Sequence, residues 1–290
     1  MNKIEELIGY GREQGCSDIH LTYGSEPIMR RMGNLTALKG YGVMDDETLL
    51  QCAEIVLKEA RTKAAGEVLE DYDICYEAEN GSRNRVNIYR QQNHTALAIR
   101  LLNEHIPTVE ELDLPENVKD IVELRQGLVL VNGPAGSGKS TALAAIINEI
   151  NTNQGRHIIT VEDPVEYLHV NKKSIVNQRE VGIDVGSFAQ GVKSALREDA
   201  DVILIGALQD MDTILAALTA AETGHLVLSA LHIAGAEESA SYIVDLFPQH
   251  QQQQIRARLQ SSLKAVVSRR FWTEGEKSGR STEVMILTEE

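Results

Sequence analysis

The stretch Gly133-Pro134-Ala135-Gly136-Ser137-Gly138-Lys139-Ser140 decides how this sequence folds. It matches G-x-x-x-x-G-K-[ST], the pattern of a phosphate-binding loop, or P-loop. The apolar run 128–131 before it predicts a buried strand, and apolar residues at three- and four-residue spacing over 143–150 predict a helix after it. A strand, a glycine-rich turn and a helix in this order are the context in which the pattern binds phosphate, rather than matching by chance.

The loop, together with the next residue, Thr141, is the predicted nucleotide site. Its glycines allow backbone N–H groups to turn toward phosphate oxygens, and the N-terminus of the following helix favours the same negative charge. Lys139 is expected to reach the β- and γ-phosphates, and the Ser140 hydroxyl is expected to ligate Mg²⁺. The sequence therefore predicts a protein that binds a nucleotide with its metal ion.

The composition indicates a protein of about two domains whose partner is not a nucleic acid. The 290 residues carry a net charge of −15 and only 4% aromatic residues, which argues against binding a phosphate backbone or stacking on bases. The acidic start at 1–6 does not resemble a signal peptide, and no apolar run approaches the ~20 residues that cross a bilayer. Three cysteines without a C-x-x-C pair exclude a four-thiolate zinc site and fit a reducing compartment. We expect a cytoplasmic protein without direct membrane insertion.

Two regions of different pattern lie on either side of a proline-containing segment. Residues 1–102 read as mixed α and β, with a helix predicted from about Asp46 to Ala60. The segment 103–116 contains two prolines among polar and acidic residues and is interpreted as a linker. The region 117–290 alternates strands with helices, which predicts a parallel sheet. Its candidate strands are 128–132, 157–161, 202–206 and 226–230.

Polar residues that follow the predicted strands are candidates for the chemistry. Glu162-Asp163-Pro164-Val165-Glu166 follows one strand, and one of its carboxylates could polarise an attacking water. An acidic turn stopped by a proline is the alternative. His232 follows another strand and could sense a γ-phosphate, although a lone histidine is more often structural. The strand at 202–206 should carry an acidic residue at its tip for Mg²⁺, but Ala207 stands there, and Asp210 and Asp212 resemble charges at a helix N-terminus.

Several further motifs, in order, resemble those of the secretion ATPase superfamily, and within it the pilus-retraction (twitching motility) ATPases. The resemblance covers nearly the whole chain. Its motifs are Ser17–Leu21, Arg83–Asn87, Ile159–Glu166, Ser174–Val181, Ala195–Asp199 and Ala221–Val227. The absence of a four-cysteine zinc insertion distinguishes the chain from the related pilus-extension and type II secretion ATPases.

The resemblance implies an α/β fold, with a RecA-like P-loop NTPase core preceded by a smaller PAS-like domain. It implies ATP and Mg²⁺ as ligands, a homo-oligomer that is usually a hexameric ring, and an inner-membrane platform protein of the pilus as partner. By position, Glu166 matches the catalytic base of the family and His232 its histidine box. Arg85 and Arg100 match arginines of the N-terminal domain that can approach the nucleotide as arginine fingers do, although structural salt bridges explain them equally well.

Three departures from the family pattern qualify the expected activity. The second acidic motif reads roughly Gly-Glu-Met-Arg-Asp in the family, whereas this chain has Gly206-Ala207-Leu208-Gln209-Asp210. Alanine also replaces the usual threonine at Ala142 and Ala230, and the sequence ends before a helical motif that the family associates with retraction. Loss of one outer carboxylate of a metal site typically reduces affinity or activity about 10–100-fold. We therefore expect ATP binding and assembly, with weak or no hydrolysis.

The sequence leaves four functions open. The first is a motor ATPase in which ATP drives rotation of N-terminal against C-terminal domains, with a hinge at 103–116. The second is a catalytically degenerate regulator that binds nucleotide and joins an active ring. The third is a competence- or secretion-type assembly ATPase. The fourth, a nucleic-acid helicase on the same RecA-like core, is disfavoured by the acidity and the few aromatic residues.

Overall fold

The computed structural model describes residues 2–31, 33–59, 71–102, 105–233, 235–274 and 277–287. The chain divides into two compact units, Met1–His105 and Ile106–Glu290. This division falls inside the predicted linker, of which residues 103 and 104 lie outside the described ranges. Val109 is buried in the core of the second unit, with Leu112 and Leu114 packed against the same core, so part of the predicted linker belongs to that unit.

The first unit is a small α/β domain with one antiparallel sheet. Within the described residues the strand order is β3-β2-β1-β6-β5-β4. The elements are α1 (Lys3–Glu13), β1 (Asp18–Leu21), β2 (Ile28–Arg31), β3 (Asn34–Ala37), α2 (Asp46–Glu59), β4 (Tyr72–Glu77), β5 (Arg83–Gln91) and β6 (His94–Leu101). Alternate residues of β5 are buried, as expected when only one face of a strand meets the core. The helix predicted over 46–60 is α2, and Ala60 lies outside the described residues.

The second unit contains the P-loop on a largely parallel sheet. Its elements are α3 (Val118–Glu123), β7 (Gly127–Asn132), α4 (Lys139–Asn153), β8 (His157–Glu162), β9 (Ile175–Glu180), α5 (Phe188–Ala195), β10 (Val202–Ile205), α6 (Met211–Glu222), β11 (Leu226–Leu231), α7 (Ala236–Asp245), α8 (Gln249–Ser262), β12 (Leu263–Glu274) and β13 (Lys277–Ile286). Across the described ranges the strand order is β13-β12-β7-β11-β10-β8-β9. All neighbours are parallel except the β12–β13 hairpin.

The predicted P-loop strand and helix are both confirmed. Every residue of β7 is buried, which explains why its sequence is continuously apolar instead of alternating. On α4, the predicted apolar positions from Leu143 to Ile150 face the core. The other three predicted parallel strands are also present, as β8, β10 and β11, with ends shifted by one residue at most. Because these strands are parallel, the loops that follow β7, β8, β10 and β11 all lie at the same edge of the sheet.

Two features of the second sheet are not apparent from the sequence pattern. Leu263 continues the four-residue spacing of Ile255 and Leu259, yet α8 ends at Ser262 and Leu263 begins β12. Pairing of β12 with β7 and β13 therefore outweighs the helical spacing. The sheet is also extended beyond the predicted parallel strands by β9 at one edge and by the β12–β13 hairpin at the other. Among the described residues, no helix has both the length and the apolar character required to cross a bilayer.

Candidate nucleotide-binding site

Four consecutive backbone N–H groups, at the end of the P-loop and the start of α4, lack hydrogen-bond acceptors among the described residues. The amides of Gly138, Lys139, Ser140 and Thr141 donate to no acceptor among the described residues. The N-cap, Gly138, lies in the left-handed region at φ 90°, and no side chain caps the helix. The first amides of a helix require partners from outside the helix, and a phosphate supplies them. The P-loop therefore has the donor set expected of an anion site.

Lys139 is held inside the loop. Only 6% of its surface is exposed, and its Nζ donates to the carbonyl oxygens of Gly133 at 3.0 Å and Pro134 at 2.9 Å. Burial lowers the pKa of this ammonium, and the negative charge of Glu166 opposes that effect. The hydroxyl of Ser137, within the loop, is also buried and has no hydrogen-bond partner among the residues that the structure describes. A bound anion would stabilise the buried ammonium, because burial penalises its charged form.

The β12–β13 hairpin packs against the back of the P-loop. Gly133 has φ 143°, and a Cβ atom at this position would lie 2.2 Å from the carbonyl oxygen of Arg269. The Arg269 side chain is 2% exposed, its Nε donates to the Ser137 carbonyl at 3.4 Å, and its Nη1 donates to Thr282 Oγ1. In a trans peptide the N–H points opposite to the C=O, so a donor on the Ser137 carbonyl directs the Gly138 N–H to the other side. Arg269 thus helps to orient one of the four free amides.

The two residues predicted to be catalytic both lie close to Lys139. Glu166 follows β8, and its charge acts on the pKa of Lys139. His232 follows β11, and its pKa is lowered by partial loss of water around the ring and then by the positive charge of Lys139. A lowered pKa favours the neutral imidazole at neutral pH, which can accept a hydrogen bond. The structure therefore brings Lys139, Glu166 and His232 together at the carboxyl edge of the sheet.

Side chains of the edge strand β9 hold the loop that carries Glu166. Gln178 Nε2 donates to the Tyr167 carbonyl at 2.8 Å and to Glu162 Oε1 at 3.2 Å, and Gln178 Oε1 accepts from the His169 amide at 2.8 Å. On the other side of Glu166, the amide of Val165 donates to Glu180 Oε2 at 3.0 Å. The backbone on both sides of Glu166 is thus fixed by polar side chains of β9.

A second connection joins the Glu166 loop to the P-loop helix. The hydroxyl of Tyr167, the residue after Glu166, lies 2.9 Å from Thr141 Oγ1 on α4. Tyr167 is buried, so this hydrogen bond lies in surroundings that restrict its movement. Thr141, which the sequence placed in the nucleotide site, thus also links that site to the candidate base.

Gln178→Met should destabilise the second unit by about 2–3 kcal/mol. Methionine keeps the length of the side chain but removes three hydrogen bonds, each contributing about 1 kcal/mol. Denaturant unfolding monitored by circular dichroism measures the loss. The matched control is Asn177→Met on the adjacent, exposed position of β9, where less than about 0.5 kcal/mol is expected. Equal losses in the two variants would contradict the role given to Gln178.

The edge also contains the position where the family pattern calls for a carboxylate. Ala207 is buried just beyond β10, between the ends of β8 and β11. Asp210 does not replace the missing group, because its two carboxylate oxygens accept hydrogen bonds from the amide and the hydroxyl of Thr213. Asp210 is the N-cap of α6, which confirms the prediction that it serves a helix N-terminus.

Arg85 and Arg100 both lie in the first unit, on paired strands directly opposite each other. Arg85 makes a two-pronged ion pair with Asp73, with Nη2 2.6 Å from Oδ2 and Nε 3.0 Å from Oδ1. Arg100 Nε lies 3.0 Å from Asp18 Oδ1, and the arginine side chain remains 63% exposed. Each arginine therefore has the salt bridge that the sequence left open as an alternative, and contact with a nucleotide stays a prediction.

The residues that support the site and were not predicted from sequence are Gln178 on β9, Tyr167 in the loop after β8, and Arg269 on β12. Gln178 was part of a recognised motif, but its role depends on the pairing of β9 with β8, which is not local in sequence. The β12–β13 hairpin had a usable signal in the short apolar run at 284–287, a pattern that is consistent with a buried strand.

Comparison with known proteins places this site in a family. The family model described as "Type II/IV secretion system protein" matches residues 79–284. The type IV pilus retraction ATPase PilT of Pseudomonas aeruginosa is 39% identical over 265 residues, which are 91% of this chain and 76% of that protein. A twitching motility protein of Neisseria gonorrhoeae is 41% identical over 262 residues, 90% of this chain and 70% of that protein.

A solved structure gives the same result for the fold. The crystal structure of the pilus retraction motor PilT with bound ADP superposes with a TM-score of 0.90 at 40% identity, covering 100% of this chain and 84% of the other. This agreement includes the α/β domain that precedes the RecA-like core. The chain therefore belongs to the type II/IV secretion system protein family, among the pilus-retraction (twitching motility) ATPases.

Proposed function

We propose that this chain is a hexameric motor ATPase that powers type IV pilus retraction in twitching motility, with hydrolysis weakened by Ala207. The observation that carries the proposal is the P-loop, where four unpaired amides and a buried lysine lie beside Glu166 and His232. The retraction ATPases to which the chain is similar support the assignment to pilus retraction.

The residues present fit ATP with Mg²⁺. The amides of 138–141 and the Lys139 ammonium would hold the phosphates, and the exposed Ser140 hydroxyl would ligate the metal ion. The unpaired hydroxyl of Ser137 and the glycine-lined turn, 133–138, complete the same cradle. When bound, Mg²⁺ neutralises charge on the phosphate oxygens.

Within this site Glu166 would serve as the base, but the carboxylate that would support Mg²⁺ is replaced by Ala207. Glu166 would accept a proton from an attacking water, and the neutral imidazole of His232 would orient that water or sense the γ-phosphate. Arg85 and Arg100 would add positive charge from the N-terminal domain, 1–102, after movement at the linker 103–116.

The expected partners are other copies of the chain and the inner-membrane platform protein of a pilus. The protein would act in the cytoplasm, peripheral to the inner membrane through that platform. No nucleic acid or direct membrane insertion is part of the proposal, in keeping with the net charge of −15.

A regulatory function is the second candidate, and Ala207 favours it. With Asp210 occupied as a helix cap, the tip of β10 offers no carboxylate at the position of the family's second acidic motif. A subunit that binds ATP without turnover could join an active ring and adjust it.

Measuring particle mass and ATP turnover on the same sample of this protein should distinguish the motor ATPase from the regulator. Light scattering after gel filtration is expected to give six times the 32.0 kDa subunit mass with Mg-ATP. Phosphate release on the same fractions is expected to be slow but dependent on Glu166, so that Glu166→Gln removes it. Release that is absent in a stable ring would instead favour the regulator. A monomer that neither binds nor hydrolyses ATP would contradict both functions.

A further inference from the structure

A large aromatic ring is exposed directly beside the P-loop. Phe271 on β12 is 52% exposed, and its Cζ lies 3.8 Å from the position that a Cβ on Gly136 would occupy. Phenylalanine is among the residue types most often buried, and this exposed ring lies next to a polar loop.

The ring is paired with an arginine that also contacts the loop. Arg280 on β13 is the cross-strand partner of Phe271, and its guanidinium carbon lies 5.7 Å from the ring centroid. Arg280 Nη2 lies 3.5 Å from the carbonyl oxygen of Gly136. The two side chains therefore place an aromatic ring and a guanidinium group next to Gly136 of the P-loop.

Positive charge on this side of the loop is not balanced by acidic groups. Neither Arg269 nor Arg280 has a carboxylate partner among the described residues. Burial lowers the pKa of Arg269, and the neighbouring charge of Arg280 lowers it further. An anion bound at the loop would stabilise both guanidinium groups.

The strand order shows which end of a nucleotide would reach this hairpin. Glu166 and His232 follow β8 and β11, which lie on one side of β7, whereas β12 and β13 lie on the other side. A terminal phosphate directed at Glu166 and His232 leaves the α-phosphate and the base on the opposite side of the P-loop. That side is occupied by Phe271 and Arg280.

We propose that Phe271 and Arg280 form the base-side half of the nucleotide site, with the Phe271 ring stacking on a purine base and Arg280 contacting the adjacent phosphate. About half of Phe271 is exposed, and stacking of a base on an aromatic ring contributes enough to change affinity about tenfold. Because a base is present only when the P-loop holds a nucleotide, this subsite depends on the proposed function.

The test compares a ligand that has a base with one that lacks it. Calorimetric titration of the intact chain with Mg-ATP and with magnesium tripolyphosphate gives two dissociation constants for each variant. Phe271→Ala is expected to weaken ATP binding about tenfold and to leave tripolyphosphate binding unchanged, whereas Phe271→Tyr should retain the native ratio. Arg280→Met should weaken both ligands by the same factor, since it removes a charge beside the phosphates.

Trp272 provides the matched control. It is the next residue on β12, so its side chain points to the other face, where it packs on Gly279. Trp272→Ala should change neither dissociation constant by more than about twofold. An unchanged ratio of ATP to tripolyphosphate affinity in Phe271→Ala would overturn the base subsite while leaving the P-loop function in place. Failure of the native chain to bind either ligand would overturn both.

Discussion

Ala207→Glu is expected to raise phosphate release at saturating Mg-ATP by about 10–100-fold. The substitution places a carboxylate at the tip of β10, the position that the family's second acidic motif occupies, between the ends of β8 and β11. Those two strands lead to Glu166 and His232, so the new group would lie at the edge that already contains the candidate base. A carboxylate there would support Mg²⁺ through water.

Ala207→Gln separates the effect of charge from the effect of size. Ala207 is buried, and a longer side chain must displace its surroundings in either variant. Glutamine has the same shape as glutamate but cannot support a metal ion by charge, so its phosphate release should remain at the native rate or below. Adding Glu166→Gln to the Ala207→Glu variant should abolish the gain. Robust and equal turnover in the native chain and in Ala207→Glu would refute the explanation from Ala207.

Lys139→Met is expected to weaken binding of Mg-ATP on the order of 100-fold or more. Methionine fills the space of the stem but removes the ammonium, and truncating one partner of a buried charged contact costs about 2–5 kcal/mol. The same loss is expected for tripolyphosphate, because Lys139 serves the phosphates and not the base. Titration calorimetry with both ligands measures the change.

Lys193→Met is the control for loss of one positive charge. Lys193 is exposed on α5 in the same unit, outside the P-loop. Its replacement should alter ATP affinity by less than about twofold, since an exposed charge outside the binding loop is weakened by water and salt. Thermal unfolding without nucleotide shows whether Lys139→Met remains folded, since Lys139 also donates to two carbonyl groups of the loop. Native-like ATP affinity in a folded Lys139→Met variant would refute the assignment of the P-loop.

The parts of the site that could be predicted from sequence are formed by residues that are close together in the chain. The strand, turn and helix around Gly133–Ser140 form one continuous segment, and each of the three has a recognisable sequence pattern. The strand β8 ahead of Glu166 and the strand β11 ahead of His232 were recognised from their apolar runs, and parallel pairing then brings their ends together. The meeting of Glu166 and His232 near Lys139 follows from topology alone.

The part that could not be predicted depends on contacts between strands far apart in sequence. Gln178 reaches the Glu166 loop only because β9 pairs with β8, and its exposed, polar edge strand has little apolar pattern. Arg269 reaches Ser137 across 132 residues because β12 pairs with β7. In both cases the register of a strand decides which side chain arrives, and register is a property of the assembled sheet.

The close contact between Gly133 and the Arg269 carbonyl changes how variation at the first P-loop position should be interpreted. Loss of function at a P-loop glycine is ordinarily assigned to loss of phosphate contact. Here a Cβ atom would collide with the backbone of β12 and approach the Ser137 hydroxyl to 2.8 Å before any nucleotide arrives. In a mutational scan, Gly133 would therefore score with the residues of the folded core, and a defect there would not by itself identify a nucleotide-binding residue.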